Sequence, residues 1–486
     1  MASKFGIAIF LSLLVSTAFA NNNEVGGQTR LTGAQQCRFE RLSASQPSQR
    51  IESEAGIIEL WDEFEEQFQC AGVAPLRKVL QPDALLLPSY HPNPRLVYVQ
   101  QGEGLLGITF PGCPETFHSE SEQIESIRQG RSHQRIRGGE EQERVMRGQE
   151  IEQHQKVHRV RRGDIVALPA GAAHWVFNNG NEQLVCISMN DLNHQANQLD
   201  HKFREFFLAG GVPRSGQQGY QRGQQSWQKG QQRSMRGGQQ DIRETFQNIL
   251  RAFDAELLSE AYNVRPDIIE RIRRDDERGL IVNAREMRGI LKPDEEEQYQ
   301  RQPRNGIEET YCSMKIRTNI DNIREVETYS REAGKINIVN RYKLPILRAM
   351  DMSAEKGKLY QNAMTSPHWS VNGHAIVYVT RGQAQVQIVD QNGQSVMNDI
   401  VNEGDMFVVP QYFTSTFRAD RNEFEWVSFK TTGEPMKSPL VGYTSVMRAL
   451  PLQVMTNAYQ ISPRDAQDLK INRGGESFLL SSGRRS

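Results

Sequence analysis

The sequence predicts an all-β chain made of two copies of one sandwich or barrel domain, each followed by a short helical group. Two observations carry this reading. In the C-terminal half, "AIVYV", "AQVQIVD", "SVMNDIV", "DMFVVP", "STFRA" and "FEWVSFK" follow one another, alternating in polarity, with turn signals between them that include Asn392-Gly393 as a hairpin turn. Many short strands of this kind close into sandwiches or barrels. The halves also repeat: "LVYVQQGEG" at Leu96 to Gly104 matches "IVYVTRGQA" at Ile376 to Ala384, offset by 280, and "RGDIVALP" at Arg162 to Pro169 matches "EGDMFVVP" at Glu403 to Pro410, offset by 241. The offsets differ by 39 residues, the length of a low-complexity stretch from His118 to Lys156.

From the N-terminus, Lys4 precedes the apolar run "FGIAIFLSLLV", and "TAFA" closes it with small residues at signal-peptidase spacing. Residues 1–20 are therefore expected to be a secretory signal peptide, cut between Ala20 and Asn21. The apolar core is too short to span a bilayer, and no later stretch approaches the roughly 18 to 20 residues a helical span needs. No membrane span is expected in the mature chain. With 486 residues two domains are the prior, and a net charge of -1 gives no electrostatic case for nucleic acid.

Three segments lack the apolar surface needed to offset ordering entropy: 118–156, 217–240 and 292–306. The second holds ten glutamines in twenty-four residues, and its arginine and glycine content could suggest RNA binding. Glutamine as the companion residue and a secretory leader favour a solvated loop instead. Outside these loops the core regions are placed at about 37–290 and 312–472. "IRETFQNILRAFDAELLSEAYN" puts Phe246, Ile249, Leu250, Phe253, Leu257 and Leu258 on one face of an expected helix with a possible cap at Asp241. A similar helical group, "TSVMRALPLQVMTNAY" then "SPRDAQDLK", closes the chain.

Motifs for catalysis are sparse. "GEGLLG", Gly102 to Gly107, fits a dinucleotide pattern but is followed by the strand "ITF" and a turn, where that chemistry needs a helix N-terminus. The Arg162-Gly163-Asp164 triplet sits at a turn into a strand, which outweighs an adhesion reading. No nucleophile elbow, P-loop, HExxH or CxxC pattern occurs. Five cysteines in an oxidising compartment leave at least one unpaired. Cys186, in the apolar run "QLVCISM", is the expected free thiol, while spacing leaves three pairings open among Cys37, Cys70, Cys113 and Cys312. There is no Asn-x-Ser/Thr sequon.

"GDIVALPAGAAHWVFN", Gly163 to Asn178, reads G-x5-P-x-G-x2-H-x3-N and resembles the second motif of the cupin superfamily. In metal-binding cupins the histidine at the place of His174 joins two histidines and a glutamate of the first motif. Here the corresponding "LPSYHPNPRLVYV" retains His91 but offers Ser89 and no carboxylate near Arg95. The second copy has Ser415 near the place of the second-motif histidine. Two imidazoles seldom make a tight site, so His91 and His174 are expected to be structural, with no metal or cofactor.

"NGIEETYCSMKIRTNID" and "LPILRAMDMSAEKGKLYQNAMTSPHWSVNGHAIVYVTRG" narrow the likeness: the chain resembles the legumin-type, or 11S, seed storage globulins over nearly its whole mature length. That resemblance implies a two-cupin (jelly-roll β-barrel) subunit that is not an enzyme but a nitrogen and amino-acid store. It implies synthesis in the endoplasmic reticulum, trimers formed with like or related subunits, delivery to protein storage vacuoles, and hexamers after cleavage. An asparaginyl endopeptidase would cut between Asn305 and Gly306. The acidic chain, 21–305, would then carry 36 basic and 40 acidic residues, net -4, and the basic chain, 306–486, 21 and 19, net +2. The resemblance also implies Cys37–Cys70 and Cys113–Cys312 pairs, and the family includes food allergens. The rival classes are a secreted metal-dependent cupin enzyme, an oxidase or isomerase, and a ligand-binding β-barrel.

Overall fold

The computed structural model describes residues 37–110, 157–211, 246–274, 277–284, 287 and 314–482. The named strands of these residues form four antiparallel sheets, two in each half of the chain. In the first half one sheet runs Gln49–Ser53, Gly56–Leu60, Val73–Leu80, Leu184–Asp191, Arg95–Gln101, Asp164–Leu168 and Arg317–Asn319. It faces a sheet of Phe206–Phe207, Ala84–Tyr90, Ala173–Phe177, Glu103–Thr109 and Val157–Arg161, with Ile281–Asn283 also on Ala84–Tyr90. The second half repeats the plan. Val326–Ser330, Gly334–Val339, Ser353–Leu359, Phe424–Lys430, Ala375–Arg381 and Met406–Val409 face Ser395–Asn402, Gln383–Val389, Thr414–Ala419, Met364–Thr365 and Leu479–Leu480.

Polarity explains which strand lies where. Asp164–Leu168 is buried at every position and is apolar throughout after its first residue, as a strand covered on both faces must be. Gln383–Val389 alternates buried Ala384, Val386 and Ile388 with outward glutamines, the period-two signature of a one-sided strand. The "GEGLLG" glycines lie in and beside the strand Glu103–Thr109, where a Cβ on Gly107 would fall 2.1 Å from the Trp175 ring. Close packing, not phosphate, requires glycine there. Gly163 of the Arg-Gly-Asp triplet takes φ 86° in a turn, and Asp164 is buried, accepting from the Arg161 amide at 3.0 Å and from Asn319 Nδ2 at 2.9 Å.

Among the described residues two large apolar cores result, beside a small cluster of Leu105, Val157 and Phe177. One fills the first barrel and continues across the seam between the barrels, through Trp61, Tyr98, Met350, Tyr378 and Phe429; the other fills the second barrel around Phe407, Phe417, Phe424 and Trp426. The halves also exchange segments. Leu42, near the start of the described chain, lies in the second core and donates its amide to Val396 O at 3.0 Å, while Ser45 bridges to Met406. Conversely Arg317–Asn319 completes the first sheet against Asp164–Leu168, and Ile320 donates to Gly163 O at 2.8 Å.

The helical reading of 242–263 needs correction. Phe246 turns inward against Phe203 and Phe207, and the adjoining residues make isolated bridges, Phe207 to Asn248 and Gly211 to Gln247. A short 3-10 helix, Ile249–Ala252, follows, and the α-helix is only Ala255–Tyr262. Asp254 caps it, accepting from the Glu256 and Leu257 amides at 2.9 and 3.0 Å, whereas Asp241 lies outside the described residues. Burying Phe246 outweighs the helical period. Further α-helices among the described residues are Glu66–Ala71, Pro266–Ile272, Leu347–Met350, Val446–Ala449, Leu452–Tyr459 and Pro463–Ile471.

Candidate functional site

The centre of each barrel is occupied by buried charge. In the first barrel His91 and His174 meet edge to face with ring centroids 5.4 Å apart, and Ser89 lies directly across the ladder from His174. Beside them sits Glu205, which accepts from Lys78 Nζ at 3.0 Å, Ser89 Oγ at 2.7 Å, and Arg95 Nη1 and Nη2 at 3.1 and 2.9 Å. Arg95 is itself 1% exposed and donates through Nε to Asn190 Oδ1 at 2.7 Å. All four carboxylate contacts are satisfied, the condition under which a buried ion cluster is tolerated.

Burial and the neighbouring Arg95 guanidinium push both imidazoles toward the neutral form, His174 down to about 3 and His91 well below the usual range. Burial lowers Lys78 to about 8; Glu205 recovers part of that and Arg95 adds to the lowering. For Glu205 burial works toward the acid form, but Arg95 and Lys78 override it and hold the carboxylate ionised.

The second barrel carries the same arrangement with the partners exchanged. His368 stands on the strand where Ser89 stands in the first barrel, and its cross-strand partner is Ser415, at the place of His174. The carboxylate now comes from the strand Ser353–Leu359 as Glu355, and a cation comes from the later segment as Lys437, which contacts Glu355. In the first barrel the strand Val73–Leu80 supplied the cation and the later segment the carboxylate. The third charge switches strand as well: Arg95 pairs with Asn190 in one ladder, Ala375 with Lys430 in the other. Lys430 Nζ lies 4.0 Å from Glu355. Burial lowers Lys430 to about 8, and against burial the two lysines hold Glu355 down at about 2. The space among Glu355, His368, Ser428 and Lys430 is about 10 Å³, room for roughly one water molecule.

These residues do not fit a metal. The two imidazoles are joined by no third ligand among the described residues, the nearest carboxylate is held by two cations, and a dication would lie beside an ammonium and a guanidinium. Among the described residues no group of three or more histidine, cysteine or acidic side chains is placed to hold an ion.

Of the sequence-predicted residues, Cys37 and Cys70 are bonded, with Cα atoms 5.5 Å apart, and Cys186 is a buried thiol that burial pushes up to about 12. His91 and His174 are brought together as described. Cys113, Cys312, Asn305, Gly306, Ala20 and Asn21 lie outside the described residues. Lys78, Glu205, Glu355, Lys430 and Lys437 are not singled out by sequence reasoning. The carboxylate that the sequence around Arg95 does not offer arrives from 110 positions on, and a lone glutamate in "HKFREFF", between aromatic residues, is the signal that could have found it.

The family model described as "Cupin" matches residues 42–213 and 318–467, one stretch on each β-domain. An 11S globulin seed storage protein 2 from Sesamum indicum is 57% identical over 490 residues, covering 100% of this chain and 99% of the relative. The chain is an 11S seed storage globulin of the cupin family. Solved structures agree: the coconut allergen cocosin has TM-score 0.73 and 37% identity, covering 92% of this chain and 100% of that one. A recombinant pro-11S globulin of pumpkin has TM-score 0.74 and 36% identity over 92% and 100%. The 11S globulin described here is thus a legumin-type bicupin, a seed storage protein.

Proposed function

We propose that this globulin performs no catalysis and stores nitrogen as a processed oligomer. The observation that carries the reading is the occupation of both barrel centres by buried ion clusters, with room for roughly one water molecule among Glu355, His368, Ser428 and Lys430 in the second. Glutamine- and arginine-rich loops hold nitrogen without demanding catalytic geometry.

On this proposal residues 1–20 direct the chain into the endoplasmic reticulum and on to storage vacuoles, where an asparaginyl endopeptidase cuts Asn305-Gly306. The products are an acidic chain, 21–305, with the first cupin domain and a basic chain, 306–486, with the second, bridged by Cys113 and Cys312. The tract "KPDEEEQYQRQPR" before the bond is strongly polar, and glycine after the asparagine puts no side chain in the enzyme's way.

Trimers would form through the helical groups, with like or related subunits. Leu257 and Tyr262 on one group, and Val454, Tyr459, Leu469 and Ile471 on the other, are exposed apolar side chains that the subunit does not cover. Cutting would then let two trimers pair as a hexamer. The test is a denaturing gel of purified protein with and without reductant, followed by N-terminal sequencing. Two chains released only by reductant, the smaller beginning at Gly306, support the reading; one chain under both conditions, or another N-terminus, overturns the site. Stoichiometric manganese, iron or zinc bound through His91 or His174 would favour the enzyme reading instead.

A further inference from the structure

The chain contains four Asn-Gly bonds, 179–180, 305–306, 372–373 and 392–393, so asparagine followed by glycine cannot by itself select one for cutting. Three lie in the described residues, and they are held in different ways. Asn372 is tied to a neighbouring segment: its Nδ2 donates to Glu434 O at 2.6 Å, its Oδ1 accepts from the Met436 amide at 3.0 Å, and Gly373 packs so closely that a Cβ would lie 2.9 Å from Thr432. The 179–180 turn is pinned by Asn178, which takes the Gly180 amide at 3.0 Å and donates to Leu80, Gln81 and Glu182 carbonyls. Freeing either bond means breaking hydrogen bonds to a segment outside its own turn.

Asn392-Gly393 is different. It is exposed at the tip of the hairpin joining Gln383–Val389 to Ser395–Asn402, and a Cβ on Gly393 would meet nothing within 4 Å. Its restraints are local and converge on one residue. Asp390 Oδ1 accepts from the Asn392 amide at 2.9 Å and the Gln394 amide at 2.8 Å, and its Oδ2 accepts from Asn392 Nδ2 at 3.0 Å. Backbone bonds from Gly393 N to Asp390 O at 3.1 Å and from Asp390 N to Gln394 O at 3.0 Å close the turn. An asparagine-specific protease must draw this segment out as an extended strand with the Asn side chain free to enter its pocket. Three of the five bonds that prevent this end on one carboxylate.

We propose that Asn392-Gly393 is a latent second site for the asparagine-specific protease, held shut by the Asp390 carboxylate. The inference rests on the asparagine-specific processing proposed above and adds what keeps the basic chain whole. Opening is local, because the hairpin tip can unfold without disturbing either core. Hydrolysis would break the bond between the Asn392 carbonyl carbon and the Gly393 nitrogen, with water supplying hydroxyl to the new Asn392 carboxyl and a proton to the new Gly393 amine.

The test digests full-length wild type, Asp390→Ala and Asp390→Glu with a purified asparagine-specific endopeptidase, after sizing each to establish that it assembles as wild type does. D390A should be cut after Asn392 at least about tenfold faster than wild type, since losing hydrogen bonds to a charged acceptor is worth that factor or more. D390E, whose carboxylate is displaced by one methylene, should change in the same direction, and Asn392→Gln in the D390A chain should abolish the new N-terminus at Gly393. Equal rates in wild type and both variants would overturn the proposal. Cleavage at Gly306 is read in the same digest: its absence from every chain would sink the Asn305 reading and leave the Asp390 lock to be judged on Gly393 alone. Should the variants fail to assemble, hydrogen exchange on wild type decides, because Asn392 and Gln394 amides exchanging as fast as in a free peptide would also overturn the lock.

Discussion

The Tyr98 phenol oxygen accepts a hydrogen bond from Lys356 Nζ at 3.0 Å, joining the first barrel to the second. Its counterpart 280 residues on, Tyr378, sits against Arg77 of the first barrel and donates to Gln100 Oε1 at 3.2 Å. Each repeat thus places a tyrosine on the other's cation, so the seam obeys the same two-fold relation as the sequence repeat. Lys356 is also held by Asp321 at 2.7 Å, which fixes the ammonium for Tyr98. Tyr98→Phe is expected to cost about 1.5–3 kcal/mol, the worth of one hydrogen bond to a charged donor. Urea unfolding checks this, and no change in the midpoint would mean that the seam is apolar contact alone.

The charge-exchanged clusters make an asymmetric prediction. Removing the carboxylate, by Glu205→Gln or Glu355→Gln, leaves two buried cations facing each other and should cost about 3–5 kcal/mol. Lys430→Met leaves Glu355 with Lys437 alone and should be neutral or slightly stabilising. Thermal unfolding of the three variants decides, and an equal loss in all three would mean that these charges do not act as pairs.

Stability should fall on acidification with a definite sign. His174 and His368 are lowered by burial to about 3, so between about 6.5 and 3 the unfolded chain binds protons that the folded chain refuses. Each histidine then removes up to about 1.4 kcal/mol per pH unit across that window. Glu355, held near 2, adds a loss of the same sign as pH drops below about 4.5. His368→Gln should flatten the slope between pH 6.5 and 4.5; an unchanged slope would place the acid sensitivity elsewhere.

Much of this molecule was legible in its sequence. The doubled "LVYV" and "GD" motifs mark equivalent strands, and Asn392-Gly393 turns the hairpin, because period-two polarity and turn chemistry are local properties. The ion clusters were not, since Arg95 and Glu205 are 110 positions apart and only barrel closure brings them together. The helix expected over Phe246 failed for a related reason: a partner aromatic at Phe207, invisible to a periodicity, claimed the side chain. His91 and His174 were found by a motif, but the charges beside them had to be seen in space.

Segment exchange bears on what happens after cutting. Leu42 of the acidic part is embedded in the second core, and Arg317–Asn319 of the basic part completes the first sheet. Gln67 adds a buried tie, its Oε1 accepting from the Val408 amide at 3.1 Å. Reduction of the cut protein under native conditions should therefore leave both chains together, with separation only in denaturant. Chains that part on reduction alone would show that the disulfide, not the interlock, holds them.

The most direct measurement of the whole account is sedimentation of wild type and Asn305→Gln after exposure to the asparagine-specific endopeptidase, with reducing gels alongside. Wild type is expected to give two chains and hexamers, and N305Q a single chain that stops at the trimer. Hexamers built from uncut N305Q subunits would contradict that expectation.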